Sequence, residues 1–283
     1  MGKWKRKMVN TLRGKFEVFV KGEGTPVCVT HHYSEFNETG DYFADMFCET
    51  NQVFLVNPRE AGGSAGAAEP YQLSMLETVF DLEAVRKELG FPRWGIAGHS
   101  TGGMLGVIYG IYYSRSLTFN VIVGAAAREY MTFSEDCIYN EAHPDFERMQ
   151  ELNELLKRAD LEDEERRQFK IERTKFSLTD PARYHDYFNK EINKGMSAIR
   201  MNFFSRELQV YDVTRKLGLS FAPTLIMCGR NDVQCPLTYS EEMSELIPNS
   251  RLVVFEHSNH YPFLEEEDLF RKAYVQFVCE IDK

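Results

Sequence analysis

Two hydrophobic periods alternate along the first 127 residues of the chain. Short apolar runs at 16–20, 26–30, 52–56, 94–97 and 119–123 have the length and the aromatic and β-branched content of buried strands. Between them, Leu73, Leu76, Val79, Phe80, Leu82 and Leu89 recur at helical spacing, and Gly90 followed by Pro92 stops the helix. A second helical run covers about 101–113, and Gly22-Glu23-Gly24 reads as a turn. Strands separated by helices imply βαβ units and a mostly parallel sheet.

The pattern changes near Arg128. From there to Lys216 no run reads as a strand, and charged, aromatic-bearing segments at 146–158 and 162–175 have helical spacing. The strand pattern resumes at 223–228 and 251–255, and a helix at 264–278 closes the chain. This order predicts an α/β core formed by residues 1–127 and 217–283, interrupted by a helical insertion at 128–216. No repeat or low-complexity tract suggests a solenoid or propeller.

Composition narrows the partners. The 283 residues include 43 acidic and 33 basic side chains, a net charge of −10. That balance disfavours nucleic acid or an anionic membrane surface, both of which reward clustered positive charge. No apolar run reaches the length of a membrane span. The basic residues at the start (Lys3, Lys5, Arg6, Lys7, Arg13, Lys15) precede no signal-type apolar stretch and read as a solvated tail. Six cysteines without a C-x-x-C pair, two of them (Cys28 and Cys228) inside strand-like runs, point to reduced thiols and a cytoplasmic protein.

Candidate chemistry centres on Gly98-His99-Ser100-Thr101-Gly102, a G-x-S-x-G motif set between a strand and a helix. A sharp strand-to-helix turn strains the serine backbone and leaves no room for side chains at Gly98 and Gly102. It also exposes Ser100 beside a helix N-terminus and the Thr101 amide, which suit a developing oxyanion. A serine hydroxyl needs a base, and the base needs an orienting partner. Asp232 and His260 each follow a predicted strand, on the same sheet edge as Ser100 and in the chain order Ser, Asp, His. His257 is a rival base three residues earlier. Cys235 is a rival nucleophile without an elbow. His31-His32 and His257-x-x-His260 lack a third ligand at a recognised metal spacing, so no metal is expected. No P-loop or G-x-G-x-x-G follows a strand, and no organic cofactor is expected.

The motifs Gly98-His-Ser-Thr-Gly102, Gly229-Arg-Asn-Asp232 and Asn259-His-Tyr-Pro262 resemble the three catalytic motifs of the α/β-hydrolase fold. The resemblance covers nearly the whole chain, and within the fold it is most similar to proline iminopeptidases and their hydrolase relatives. It implies an α/β-hydrolase sheet flanked by helices, with a cap inserted after the sixth strand. It also implies that Ser100 is the nucleophile, Asp232 the orienting acid and His260 the general base, acting on a small-molecule or short-peptide substrate. The family's His-Gly-x-Pro loop corresponds here to His31-His32-Tyr33-Ser34, making the Tyr33 amide the second oxyanion donor beside Thr101. His32 and Ser34 depart from the family's glycine and proline. An iminopeptidase would further need carboxylates in the insertion to hold a substrate ammonium, and Glu129, Glu135, Glu141 and Glu207 are the candidates. A hydrolase-like receptor without activity is the reading of another class.

Overall fold

The computed structural model describes residues 3–158 and 160–281. Eight strands make the central sheet: β1 (Lys5–Thr11), β2 (Gly14–Lys21), β3 (Thr25–Thr30), β4 (Asn51–Val56), β5 (Trp94–His99), β6 (Leu117–Val123), β7 (Thr224–Gly229) and β8 (Ser250–Phe255). Their spatial order is β1-β2-β4-β3-β5-β6-β7-β8. β2 runs antiparallel to both its neighbours, and every other pairing is parallel. The helices of ten residues or more are α1 (Met75–Glu88), α2 (Thr101–Tyr113), α3 (Phe146–Lys157), α4 (Asp163–Lys175), α5 (Ala198–Glu207), α6 (Leu237–Leu246) and α7 (Glu267–Ile281).

The interior strands read as unbroken apolar runs because both faces of the sheet are covered. Cys28, Phe54, Val56 and Ile96 point into one core with Val79 of α1 and Met104, Leu105 and Ile108 of α2. Their strand neighbours Val27, Val29, Val53, Leu55 and Ala97 point the other way, into a core completed by Phe43, Phe47, Phe270 and Tyr274. This is the two-residue alternation of a pleated strand, applied to two cores at once.

The basic start of the chain is not the solvated tail expected from its charge. Residues Lys5–Thr11 form edge strand β1, paired with β2 over its full length. Only Val9 of this strand is buried, so no apolar alternation marks it, and Lys5 and Lys7 stay exposed on the sheet's edge. Charges there also discourage strand addition by another chain.

Between β6 and β7 the chain forms α3, α4, α5 and several short turns. α4 buries none of its residues and α3 only Met149 and Leu152, as their charged sequences suggest. The chain leaves and rejoins the sheet side by side, through an Arg128–Asp212 bridge flanked by Glu129 N–H to Tyr211 O (2.8 Å) and Val213 N–H to Ala127 O (2.8 Å). The segment contains one two-residue strand that composition does not reveal, Gly195–Met196. It pairs with Ser34–Glu35, just after β3. No helix among the described residues is long and apolar enough to cross a membrane.

Candidate active site

The turn from β5 into α2 is a tight one. Ser100 has φ 56° and ψ −123°, a positive φ that a side chain rarely adopts. A Cβ at Gly98 would lie 2.0 Å from the Gly102 carbonyl oxygen, and one at Gly102 would lie 2.3 Å from the Thr30 carbonyl oxygen. Both glycines are therefore required by close backbone approach. Ser100 keeps partial exposure, and its hydroxyl makes no hydrogen bond among the described residues. The adjacent Thr101 N–H is the first of α2 and has no intrahelical acceptor, leaving it free to face an anion.

Asp232 and His260 come together from the loops after β7 and β8. His260 Nδ1 lies 2.9 Å from Asp232 Oδ2 and 3.0 Å from Oδ1, and both side chains are buried. A carboxylate can only accept, so Nδ1 carries the proton and Nε2 keeps a lone pair for use as a base. Asp232 Oδ1 also accepts from the amides of Gln234 and Cys235, each at 2.9 Å. Gly124 backs the pair: a Cβ there would sit 2.9 Å from Asp232 Oδ2 and 3.2 Å from His260 Nδ1.

His260 is tied to the elbow through its backbone. His99, the residue before Ser100, donates from Nε2 to the His260 carbonyl at 2.7 Å, and the two rings lie 4.4 Å apart. His257 instead is exposed and away from Asp232, with its amide on Glu266. Cys235 is buried, and burial pushes its thiol well above the ordinary range, the reverse of an activated nucleophile.

The His31–Ser34 loop closes the other side. Its Tyr33 amide has one weak partner, His31 Nδ1 at 3.5 Å, and so remains available. His31 bridges Ser34 Oγ (2.9 Å) and Thr101 Oγ1 (3.0 Å), linking this loop to the start of α2. The bulky His32 is accommodated by facing inward. It is fully buried, lies 5.6 Å from the Phe204 ring, and has both its carbonyl and its Nδ1 bound by the buried Arg200 of α5. Arg200 also reaches Thr78 Oγ1 at 2.7 Å and the Arg59 carbonyl at 3.2 Å. Tyr33 O accepts from the Ser197 amide at 2.8 Å. Hydrogen bonds to α5 and the strand before it thus fix this loop. Arg200, Gln234 and Gly124 escaped the sequence reading, because a helical arginine, a loop glutamine and a post-strand glycine carry no distinctive spacing.

Burial holds His31, His32 and His99 well below the usual imidazole range, reinforced by nearby cations, Lys194 beside His31 and Arg200 beside His32. In the unfolded chain these rings protonate near about 6.5, so below that pH the unfolded state binds more protons and the folded state loses stability. The melting temperature is expected to fall as pH drops from 7.5 to 5.5. A melting temperature unchanged across that interval in thermal unfolding would contradict the neutral assignment.

Two surface cavities, of about 390 and 420 Å³, lie away from these residues: one beside Tyr42 and Arg183, the other beside Arg6 and Glu17.

Comparison with known proteins agrees with the fold. Residues 31–267 match the family described as "alpha/beta hydrolase fold". A proline iminopeptidase from Chitinophaga pinensis is 19% identical over 296 residues, spanning 99% of this chain and 94% of the relative. Another, from Thermoplasma volcanium, is 23% identical over 219 residues, 71% of this chain and 70% of the relative. The solved structure of an alpha/beta fold family hydrolase from Bacillus anthracis str. Sterne is 39% identical with a TM-score of 0.94, covering 98% of this chain and 100% of that one. The family match and the eight-stranded order together make this chain a hydrolase enzyme that belongs to the α/β-hydrolase family, close to the proline iminopeptidase type.

Proposed function

We propose that the protein is a serine hydrolase of small-molecule esters or amides, with residues 128–216 forming a cap over the reacting groups. The observation that carries this is a buried imidazole oriented by a carboxylate and anchored to the residue preceding a strained, unencumbered serine. In this mechanism Ser100 Oγ attacks the substrate carbonyl carbon as His260 Nε2 takes its proton. The amides of Thr101 and Tyr33 receive the oxyanion. Collapse of the tetrahedral intermediate breaks the bond to the leaving group, which takes the proton from His260 and departs, leaving an acyl ester on Ser100. Water, deprotonated by the same histidine, attacks that ester and regenerates the hydroxyl.

The named relatives raise proline aminopeptidase activity as a second reading. It needs a carboxylate to receive the substrate ammonium. Glu129 is engaged with the amides of Met131 and Thr132, and Glu207 with that of Met75. Glu135 and Glu141 are exposed. Of the four, Glu129 alone keeps a buried carboxylate oxygen, Oε2, without a hydrogen-bond partner among the described residues, and it is the group an aminopeptidase reading would use. A fluorophosphonate probe is expected to label Ser100, and short acyl esters to be cleaved faster than proline p-nitroanilide. An unlabelled Ser100 in folded protein would instead indicate a hydrolase-like receptor, and the opposite substrate order would indicate an aminopeptidase.

A further inference from the structure

Helix α4 carries a cation without a counter-ion among the described residues. Arg173 Nε donates to Asn153 Oδ1 at 2.8 Å and one terminal nitrogen to Tyr139 OH at 3.1 Å, and both acceptors are neutral. No carboxylate among the described residues pairs with it, whereas its helix neighbours Glu172 and Arg167 pair with Arg148 and Glu164. The Arg173 side chain is linked to the reacting groups through Tyr139. Tyr139 OH donates to Gln234 Oε1 at 3.0 Å, and the Gln234 amide donates to Asp232. Four residues after Arg173, the Ser177 carbonyl accepts from the His260 amide at 3.2 Å. Tyr33 lies on the oxyanion loop, its ring 4.6 Å from that of His31, and Tyr261 adjoins His260, their rings 5.4 Å apart. Neither hydroxyl makes a hydrogen bond among the described residues, and both tyrosines keep partial access.

Holding a partly buried guanidinium among neutral acceptors is costly unless an anion completes it. The donor set on offer is a planar fork with a free terminal nitrogen, joined by two uncommitted phenol groups. A single unit of positive charge with donors in a fork suits a carboxylate monoanion better than a phosphate dianion. We propose that Arg173, with Tyr33 and Tyr261, binds a carboxylate carried by the substrate on the acyl side of the bond that Ser100 attacks. The physiological substrate is then a monoester or monoamide of a small dicarboxylic acid. This rests on the hydrolase mechanism proposed above and adds to it the sign of the substrate's charge, which is opposite to the ammonium an aminopeptidase would hold.

The test compares monomethyl succinate, glutarate and adipate with their chain-matched neutral esters, methyl butanoate, pentanoate and hexanoate. In the wild type, kcat/KM is expected to favour the anionic ester at least tenfold for one chain length or more. Arg173→Met should lower that anionic-to-neutral ratio by roughly 10- to 100-fold, mainly through KM, with Arg173→Lys between the two. A wild-type ratio near one at every length, or an Arg173→Met protein that loses both esters equally, overturns the proposal, because a structural arginine would act on both alike. Binding is also measured by calorimetry with monomethyl glutarate and adipate on Ser100→Ala protein, which needs no turnover. Binding that disappears in Ser100→Ala/Arg173→Met supports the anion site, and absence of binding at both lengths counts against it. If the wild type cleaves no ester and Ser100 stays unlabelled, the hydrolytic mechanism fails while calorimetry still decides the anion site.

Discussion

Replacing Ser100 with alanine is expected to lower kcat by at least about 10⁴-fold, leaving only what the oxyanion donors and binding supply. The fold should not notice. The hydroxyl has no hydrogen-bond partner among the described residues, and alanine keeps the Cβ and with it the backbone strain at φ 56°. Stability is therefore expected to stay within about 0.5 kcal/mol of wild type. Ser100→Gly should be equally inactive yet more stable, because glycine relieves a strain of order 1–3 kcal/mol at such a position, offset in part by its greater entropy when unfolded. Steady-state kinetics with thermal melts of the three proteins check both statements. Substantial hydrolysis by Ser100→Ala would remove the serine from its assigned role.

Asp232→Asn is expected to be the second most damaging change, with kcat reduced by roughly 10³- to 10⁴-fold at neutral pH. The amide can keep its oxygen on the Gln234 and Cys235 N–H groups, since Oδ1 already accepts from both. Its NH₂ then faces His260 Nδ1 and favours the tautomer in which Nε2 carries the hydrogen, so the imidazole no longer offers a lone pair to the serine. Opposing charge is lost as well, so the imidazolium formed during attack is no longer stabilised. The loss should appear in kcat with little change in KM, and labelling by a fluorophosphonate should slow in parallel. An Asp232→Asn protein within tenfold of wild type would mean that His260 is oriented by something else.

Much of this was legible in the chain because the physics that shapes it is local. Strands covered on both faces must be apolar throughout, so β3 through β7 stand out as short runs, and the two glycines around Ser100 are dictated by backbone contacts across one turn. Asp232 and His260 were readable because each follows such a run. What escaped depends on tertiary context. β1 hides because an edge strand buries almost nothing, and its lysines look like a tail. Arg173 and Arg200 lie on helices that also carry charged residues, and nothing in spacing separates a covered guanidinium from an exposed one. The tolerance for His32 depends on an arginine 168 residues away in the chain.

That distant arginine has a consequence for redesign. The loop bearing Tyr33 is clasped by the β6–β7 segment at three points: Ser197 to the Tyr33 carbonyl, the Ser34–Met196 pairing, and Arg200 to His32. If this segment is the proposed cap, lifting it would slacken the amide proposed to hold the oxyanion, and entry of substrate and readiness for chemistry would be mechanically coupled. A chimera that replaces the segment between β6 and β7 is therefore expected to need the matching stretch around His32 as well, because the three contacts tie the two together.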